Sequence, residues 1–561
     1  MKMSMMKRIF AILLTVAMLV CVLTACNASK DSAKTNSAFL ADATQPTGAD
    51  NAVLQKITSV NITCGKSAIE NFAAAELRWY LAKKNIPLAD DGYGIALKLD
   101  DSVAQNGYQI IADENGLVIA GGNERGLAYG LYAFLEKFVG VRIYSPDTEV
   151  IDDSDVMIGV GVLDTFDPAF EIIRNPWYPI ERLAEKNGGN VRSLGITKTL
   201  ALNALTGAGE LQPCLSDPEN LTKAVQTVKS YLRAVKSFDT LRFTPASEVD
   251  LYCTCENCTR IHEEEGSPAG VYVRFLNALT EAISVDYPDL QFELVIRAYL
   301  QKAPALTKLT DRISIRFNME KCHISHPITD TTCPDSVIFA ESVRGWSAIC
   351  SNVHVEYGLT ATVDYIPVFA NLGAMRENMR FFAECGVDSI NCSGNIVCPT
   401  GEFGELRVYL FSQLLQNPMM TEEEYYAYMD AFLEDYYGEG WTYIRKFIDK
   451  TIELAADGHQ VAGGSPLDAI TEEEYLANEA AFDEWWNQAE ALAGDRLEFV
   501  KRARYQWRYI KLCLHPNTED ALALITDAAA GNRVGWRDKQ WNVDKDKSNL
   551  DLTPFEWTYK S

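Results

Sequence analysis

The sequence predicts an α/β protein with a small α/β sandwich domain, a TIM (β/α)8-type barrel and a C-terminal helical region. Three observations predict it. Helix and strand patterns are mixed over 53–164, short apolar strands alternate with amphipathic helices over 165–420, and helix signals stand almost alone over 421–561.

A chain of 561 residues is too long for one ordinary domain, and 47% hydrophobic residues provide for a large core. With 51 Lys+Arg against 77 Asp+Glu the formal net charge is −26, and no basic run offsets it. Such a surface repels phosphate backbones, so no nucleic-acid partner is expected.

Residues 1–26 have the form of a secretory signal. Lys2, Lys7 and Arg8 precede an apolar run from Ile9 to Val22, too short for a typical spanning helix. The run ends in Leu23-Thr24-Ala25-Cys26, which resembles the bacterial lipobox, so Cys26 is the expected lipidation site; a plain N-terminal membrane helix is the competing reading. Residues 27–52, rich in Ser, Ala, Thr, Asp and Asn, read as a flexible tether. The expected location is extracytoplasmic, anchored to the cell membrane by lipid.

In 53–164, Ile69, Phe72, Ala73, Leu77, Tyr80 and Leu81 recur at helical spacing, with Lys83 and Lys84 at the C-terminal end. Gly107 to Ile111, the Asn115-Gly116 turn signal and Leu117 to Ala120 predict a hairpin. A second helix is predicted from Gly126 to Phe138. The run Gly121 to Tyr132, continuing through Phe134-Leu135-Glu136 and Gly140-Val141-Arg142, resembles the accessory N-terminal domain of α-glucuronidases and β-hexosaminidases. That resemblance implies a supporting, non-catalytic role. The run lacks the G-x-G-x-x-G spacing of a dinucleotide site.

In 165–420, Asp217 caps a helix with Pro218 at its first position. Strands are predicted at Leu241–Thr244, Phe292–Tyr299, Ile313–Phe317, Val353–Tyr357 or Ala361–Tyr365, and Val387–Asn391, with helices around Phe275 to Ile283 and Leu372 to Phe382. After 420, the Glu triplets behind Thr421 and Thr471 read as solvated helix starts.

Chemistry concentrates after the strands. Cys253, Cys255 and Cys258 follow the Leu241–Thr244 strand; Cys322, His323, His326 and Cys333 follow Ile313–Phe317. Three thiolates with Cys322 as the fourth ligand satisfy tetrahedral structural zinc. Disulfides, favoured by an oxidising compartment, and unpaired thiols are the competing readings. The strand-end carboxylates Glu248, Asp250, Glu356, Asp364 and Asp388, with Glu402 on a later loop, are candidates for chemistry that needs a paired acid and base. G-x-S-x-G, H-E-x-x-H and Walker motifs are absent.

The Cys-x-Cys-x2-Cys element, Cys322 to Cys333, Trp346, Asp364-Tyr365, Gly401 to Leu410, Asn417-Pro418 and Tyr436-Tyr437-Gly438 together resemble the bacterial domain-of-unknown-function family 4838, over most of residues 60–450. The resemblance implies a glycoside-hydrolase-like protein acting on uronic-acid- or N-acetylhexosamine-containing glycans. On that reading Glu248 is the acid/base, where the family usually has Asp. Asp364 is the second carboxylate, acting as nucleophile, base or stabiliser of an acetamido group. Arg174, Trp177, Tyr178, Trp346, Tyr365 and Glu402 are the candidate substrate contacts, and catalysis needs no cofactor. One departure stands out: members commonly carry a His on a longer loop near the second barrel strand, whereas Ser193 to Gly209 is short and no His precedes His262. It motivates the alternative of a non-catalytic glycan-binding lipoprotein.

Overall fold

The computed structural model describes residues 54–145, 148–166, 171–174, 191–193, 197–207, 212–234, 239–245, 251–319, 321–361, 365–393 and 402–530. They form two compact units. The expected signal, tether and lipidation site Cys26 lie outside the described residues.

The first unit contains strands β1 (Val60–Cys64), β2 (Tyr93–Leu99), β3 (Tyr108–Ala112), β4 (Gly116–Gly121) and β5 (Gly161–Phe166), in the spatial order β1-β2-β4-β3-β5. β3 and β4 make the expected antiparallel hairpin. Asp113 shapes its turn, accepting from the backbone N–H groups of Asn115 and Gly116 at 2.7 and 3.0 Å. Helix α1 (Ala68–Lys83) begins at a capping box between Ser67 and Glu70. Ala73, Leu77, Tyr80 and Leu81 of α1 are buried, but Phe72, expected in the same stripe, is 47% exposed.

Helix α2 (Glu124–Phe134) ends four residues earlier than its apolar pattern predicts, because Leu135–Val139 widens into a π-type turn before Gly140 reverses the chain at φ 76°. Glycines just ahead of α2 and in its first turn permit close backbone approach. A Cβ at Gly126 would lie 2.0 Å from the Gly107 carbonyl oxygen, and one at Gly121 would lie 2.1 Å from the Leu127 nitrogen.

The second unit contains strands β6 (Glu171–Arg174), β7 (Val191–Ser193), β8 (Thr197–Ala201), β9 (Thr240–Thr244), β10 (Gln291–Ile296), β11 (Ile313–Asn318), β12 (Val353–Gly358) and β13 (Ser389–Ser393). Their order is β7-β6-β13-β12-β11-β10-β9-β8, with every neighbouring pair parallel. The five expected strands are present within a few residues. Val353–Gly358 is a strand, residues 362–364 of the alternative Ala361–Tyr365 lie outside the described residues, and β10 stops at Ile296. The short strands β6 to β8 carry no strong apolar run and were not expected.

Helices α3 (Pro218–Ala234), α4 (Glu256–Glu265), α5 (Ala269–Ser284), α6 (Pro334–Ser347), α7 (Met375–Glu384) and α8 (Gly404–Gln416) fall between and after the strands. Asp217 starts α3 as expected, accepting from the Glu219 N–H at 2.9 Å. Phe275, Leu276, Leu279 and Ile283 of α5 are buried, each contributing roughly 1.5–3 kcal/mol. The C-terminal region is helical: α9 (Glu422–Tyr437), α10 (Trp441–Ala455), α11 (Glu472–Leu492), α12 (Leu497–Leu514) and α13 (Thr518–Ala530). Thr421 with Glu424 and Thr471 with Glu474 form capping boxes, so the acidic triplets are helix starts. No helix among the described residues is long and apolar enough to cross a membrane.

Gly126→Ala is expected to lower stability by about 1–3 kcal/mol, since the added methyl must displace backbone. Urea unfolding with an unchanged slope measures it; a shift within about 0.5 kcal/mol of zero, the usual range for a neutral surface change, contradicts the close-approach account.

Candidate functional site

In a parallel sheet, side chains that bind ligands gather beyond the carboxyl ends of the strands. A cleft of about 520 Å³ lies there over β8 to β12, a volume within the ordinary range for ligand sites. Thr199, Arg242, Thr244, Arg297, Arg316, Asn318, Lys321, Asp335 and Glu356 supply its polar lining. Ala298, also in the lining, has φ 51°, a left-handed conformation unusual for a residue with a Cβ. The Thr244 hydroxyl is buried there with no hydrogen-bond partner among the described residues.

Beneath the cleft, alternate positions on four neighbouring strands place charged side chains on one face of the sheet. Glu293 on β10 is buried and meets Arg242 of β9, Arg316 of β11 and His354 of β12. Arg316 lies 3.0 Å from Glu293 and 3.9 Å from Glu356, whose side chain is 29% exposed. The His354 Nδ1–H donates to Glu293 at 3.0 Å, which fixes the tautomer because a carboxylate only accepts. Burial by itself would raise the Glu293 pKa; the His354 hydrogen bond and the two guanidinium groups outweigh it and hold the carboxyl well below its ordinary value. The signal in the sequence is a charge inside an apolar strand: Glu293 in Phe292 to Ile296, Arg316 in Ile313 to Phe317. Such a charge must be paired when the strand is covered on both faces.

Glu248, Asp250, Trp177, Tyr178 and Asp364 lie outside the described residues, as does the side chain of Arg174, the last residue of β6. Three expected substrate contacts are corrected. Trp346 is fully buried on α6 and donates its indole N–H to the Leu300 carbonyl at 2.8 Å, so no ring face is open to a sugar. Tyr365 is buried, and its carbonyl accepts from the Glu402 N–H at 2.8 Å. Glu402 is spent on the buried Arg407, which also reaches Asn371 and the Phe369 carbonyl. Asp388 precedes β13 at the opposite rim and accepts from the Val353 N–H at 2.6 Å, a structural contact.

The metal expectation needs one substitution of ligand. Cys253, Cys255 and Cys258 gather with Cys214 from the loop ahead of α3, their ligand atoms all within 4.8 Å of one another. Cys322, the expected fourth ligand, is outside this set and is buried at the cleft wall. A lone Cys214, 39 residues upstream, carried no spacing signal. The Cys214 Sγ lies 3.7 Å from Cys255 and 3.8 Å from Cys258. Bonded sulfurs stand about 2.05 Å apart, whereas the edge of a tetrahedron with metal–sulfur bonds of about 2.3 Å is about 3.8 Å. The spacing suits a shared metal ion and not disulfides. A backbone N–H from Cys258, in the first turn of α4, lowers the Cys255 thiol to about 6, toward the thiolate a metal requires.

Glu265, at the end of α4, is buried. Burial raises its pKa, but hydrogen bonds from Thr307, Leu306 and Arg274 prevail and hold it at about 2. For Glu265 and Glu293 the folded pKa is depressed, so the stability they contribute is present above about pH 5 and is lost as pH falls toward 2. Glu265→Gln is expected to flatten the acid limb of a melting-temperature profile between pH 5 and 2; an unchanged limb contradicts the assignment. Glu293→Gln is expected to cost about 3–5 kcal/mol at neutral pH, because it leaves a buried guanidinium uncompensated.

Residues 201–449 match the family model described as Domain of unknown function (DUF4838). No curated protein matches the chain by sequence. Among solved structures, the chain is similar to the family GH115 4-O-methyl-α-glucuronidase BtGH115A, with specificity for decorated arabinogalactans, at 11% identity and TM-score 0.47, covering 91% of this chain and 77% of that one. It is also similar to the Flavobacterium johnsoniae chitobiase FjGH20, at 10% identity and TM-score 0.39 over 92% and 98% of the two chains. A family GH138 enzyme targeting pectin rhamnogalacturonan II shows 10% identity and TM-score 0.38 over 84% and 91%. The matched segment, 201–449, carries the ion network of the cleft floor.

Proposed function

We propose that the chain is a surface-anchored, glycoside-hydrolase-like protein that cleaves glycosidic bonds in uronic-acid- or N-acetylhexosamine-containing glycans. The uronic acid is the better fit to its cleft. The observation that carries the preference is the lining: Arg242, Arg297, Arg316 and Lys321 stand against the carboxylates of Asp335 and Glu356. A cleft so lined attracts a carboxylate-bearing sugar despite the acidic chain. The accompanying fold is a closed (β/α)8 barrel, supported by the pairing of β6 with β13 and by a strand order circular in sequence save for the seam between β7 and β8.

Glu248 is the acid/base and Asp364 the second carboxylate in this reading. β9 and β12, the strands that precede them, flank β10 and β11 under the cleft. Arg297 in the lining donates to the Pro245 carbonyl at 3.3 Å, so the chain toward Glu248 leaves β9 beside the cleft. Arg174 ends β6, and Trp177 and Tyr178 come next in the sequence; all three are retained as substrate contacts. The four-cysteine cluster would hold a structural zinc that fixes the end of the Glu248 loop, while catalysis uses no cofactor. Cys26 is the lipid anchor, and the lipobox resemblance supports an extracytoplasmic location.

An activity screen over uronic-acid and neutral glycans tests this. Glu248→Gln and Asp364→Asn are each expected to lower kcat about 10²–10⁴-fold. Lys321→Ala is expected to raise KM roughly 10–100-fold on the uronic-acid substrate alone, as for a lost charge-assisted hydrogen bond. Binding without cleavage of any glycan would sink the hydrolase reading in favour of a receptor. Cys26→Ala is expected to release the chain from the membrane fraction.

A further inference from the structure

We infer that His323, His326, Cys333 and His459 form a second metal site, a tetrahedral His3Cys centre for zinc that ties the loop after β11 to the loop after α10. The four residues each offer a ligand atom, all within 4.8 Å of one another. The His323 Nδ1 lies 2.9 Å from the His459 Nδ1 and 3.3 Å from the Cys333 Sγ. Tetrahedral zinc with nitrogen at about 2.05 Å and sulfur at about 2.3 Å sets these edges near 3.3 and 3.6 Å, so these two edges differ from that geometry by less than about half an ångström.

A second, independent observation points to a ligand. His326 is 4% exposed, and its Nε2 is buried with no hydrogen-bond partner among the described residues. Its other nitrogen faces the Asp330 carboxylate at 3.8 Å. His323 repeats the arrangement, with Nδ1 in the cluster and Nε2 3.6 Å from Asp335. A carboxylate behind the non-ligating nitrogen is the usual support for a metal-bound imidazole, orienting the ring and raising its basicity. Without an ion, one proton on the His323 Nδ1 can serve either His459 or Cys333, and His326 remains unsatisfied. An ion accepts all four lone pairs.

The backbone is arranged to deliver His459. His323 and Val461 form an antiparallel bridge, the Ile324 N–H donates to the Gln460 carbonyl at 2.8 Å, and the His459 N–H donates to the Asp468 carbonyl at 2.9 Å. Ile324, Phe369 and Ala462 form an apolar seat alongside. Cys333 caps α6 and is 2% exposed. Three imidazoles and one thiolate suit zinc over magnesium or calcium, and four protein ligands leave no open position, so the role is structural. The ion would brace one wall of the cleft, where Lys321, Cys322 and Asp335 lie within two residues of its ligands in the sequence.

The test is zinc content by elemental mass spectrometry on the full chain purified without chelator, together with melting of metal-stripped protein with and without added zinc. His459→Gln removes an exposed ligand, and Cys333→Ala keeps an apolar side chain, so both are expected to fold; near-ultraviolet dichroism checks it. Each is expected to lose one zinc per chain and to show a smaller zinc-induced rise in melting temperature than the parent. Zinc content and zinc-dependent melting equal to the parent's in both folded variants overturn the proposal, as does a metal-free parent that zinc does not stabilise. Loss confined to Cys214→Ser, with both variants retaining full zinc, assigns the metal to the other cluster alone and also overturns it.

Discussion

A carboxylate inside a parallel sheet has to be neutralised where it stands, and Glu293 is that constraint in the second unit. Four strands contribute to its shell: β9 gives Arg242, β10 the carboxylate, β11 Arg316 and β12 His354. The contacts are possible only if the strands keep a register that brings these side chains to one face. A one-residue slip in any strand would turn its charge to the opposite face. The ion network therefore specifies alignment as well as contributing energy. It also determines the charge of the cleft. Two guanidinium groups share one buried carboxylate, and Glu356, 3.9 Å from Arg316, adds a second carboxylate on the cleft side.

The acidic sugar proposed as ligand would meet the local groups of the cleft rather than the chain's net charge of −26. Net charge acts at long range and is screened within about 10 Å at ordinary ionic strength. Inside the cleft, the few groups lining it dominate. Acidity elsewhere, such as the Glu triplets that start α9 and α11, is solvated at helix N-termini and does not reach the floor.

What could be read from the sequence follows from the range of the interactions involved. The helix starts at Thr421 and Thr471, the Asn115-Gly116 turn and the buried stripe of α5 are local, and each was predicted in place. The five apolar strands were visible because a covered parallel strand needs a continuous apolar run. β6 to β8, only three to five residues long, lack one. Sites built from distant segments were less legible. Cys253, Cys255 and Cys258 read as a zinc or disulfide cluster with Cys322, but the fold gathers them with Cys214, because the fourth member depends on which loop the fold brings near. Trp346 and Tyr365 show the opposite error. Aromatic side chains suit sugar stacking and core packing alike, and burial, which sequence alone does not give, decided for the core. Glu402 read as an exposed loop acid, yet Arg407, five residues on, folds back to cover it.

The two clusters of soft ligands have a common physical purpose. Loops after β9 and β11 are long, and ordering them costs roughly 1–2 kcal/mol of backbone entropy per residue. A hydrophobic solution would fill the rim of the cleft with apolar side chains and leave no room for ligand. Metal clips fix a loop through four atoms and leave the facing surface polar. The sulfur spacing of 3.7 and 3.8 Å in the first cluster and the unpartnered Nε2 of His326 in the second are the observations from which ions are proposed to hold both loops, each beside a small apolar cluster. The loop carrying Cys253 and the loop carrying His323 follow β9 and β11, which are separated in the sheet by β10 alone. Register below and loop position above are set by different chemistry, and the cleft lies between them.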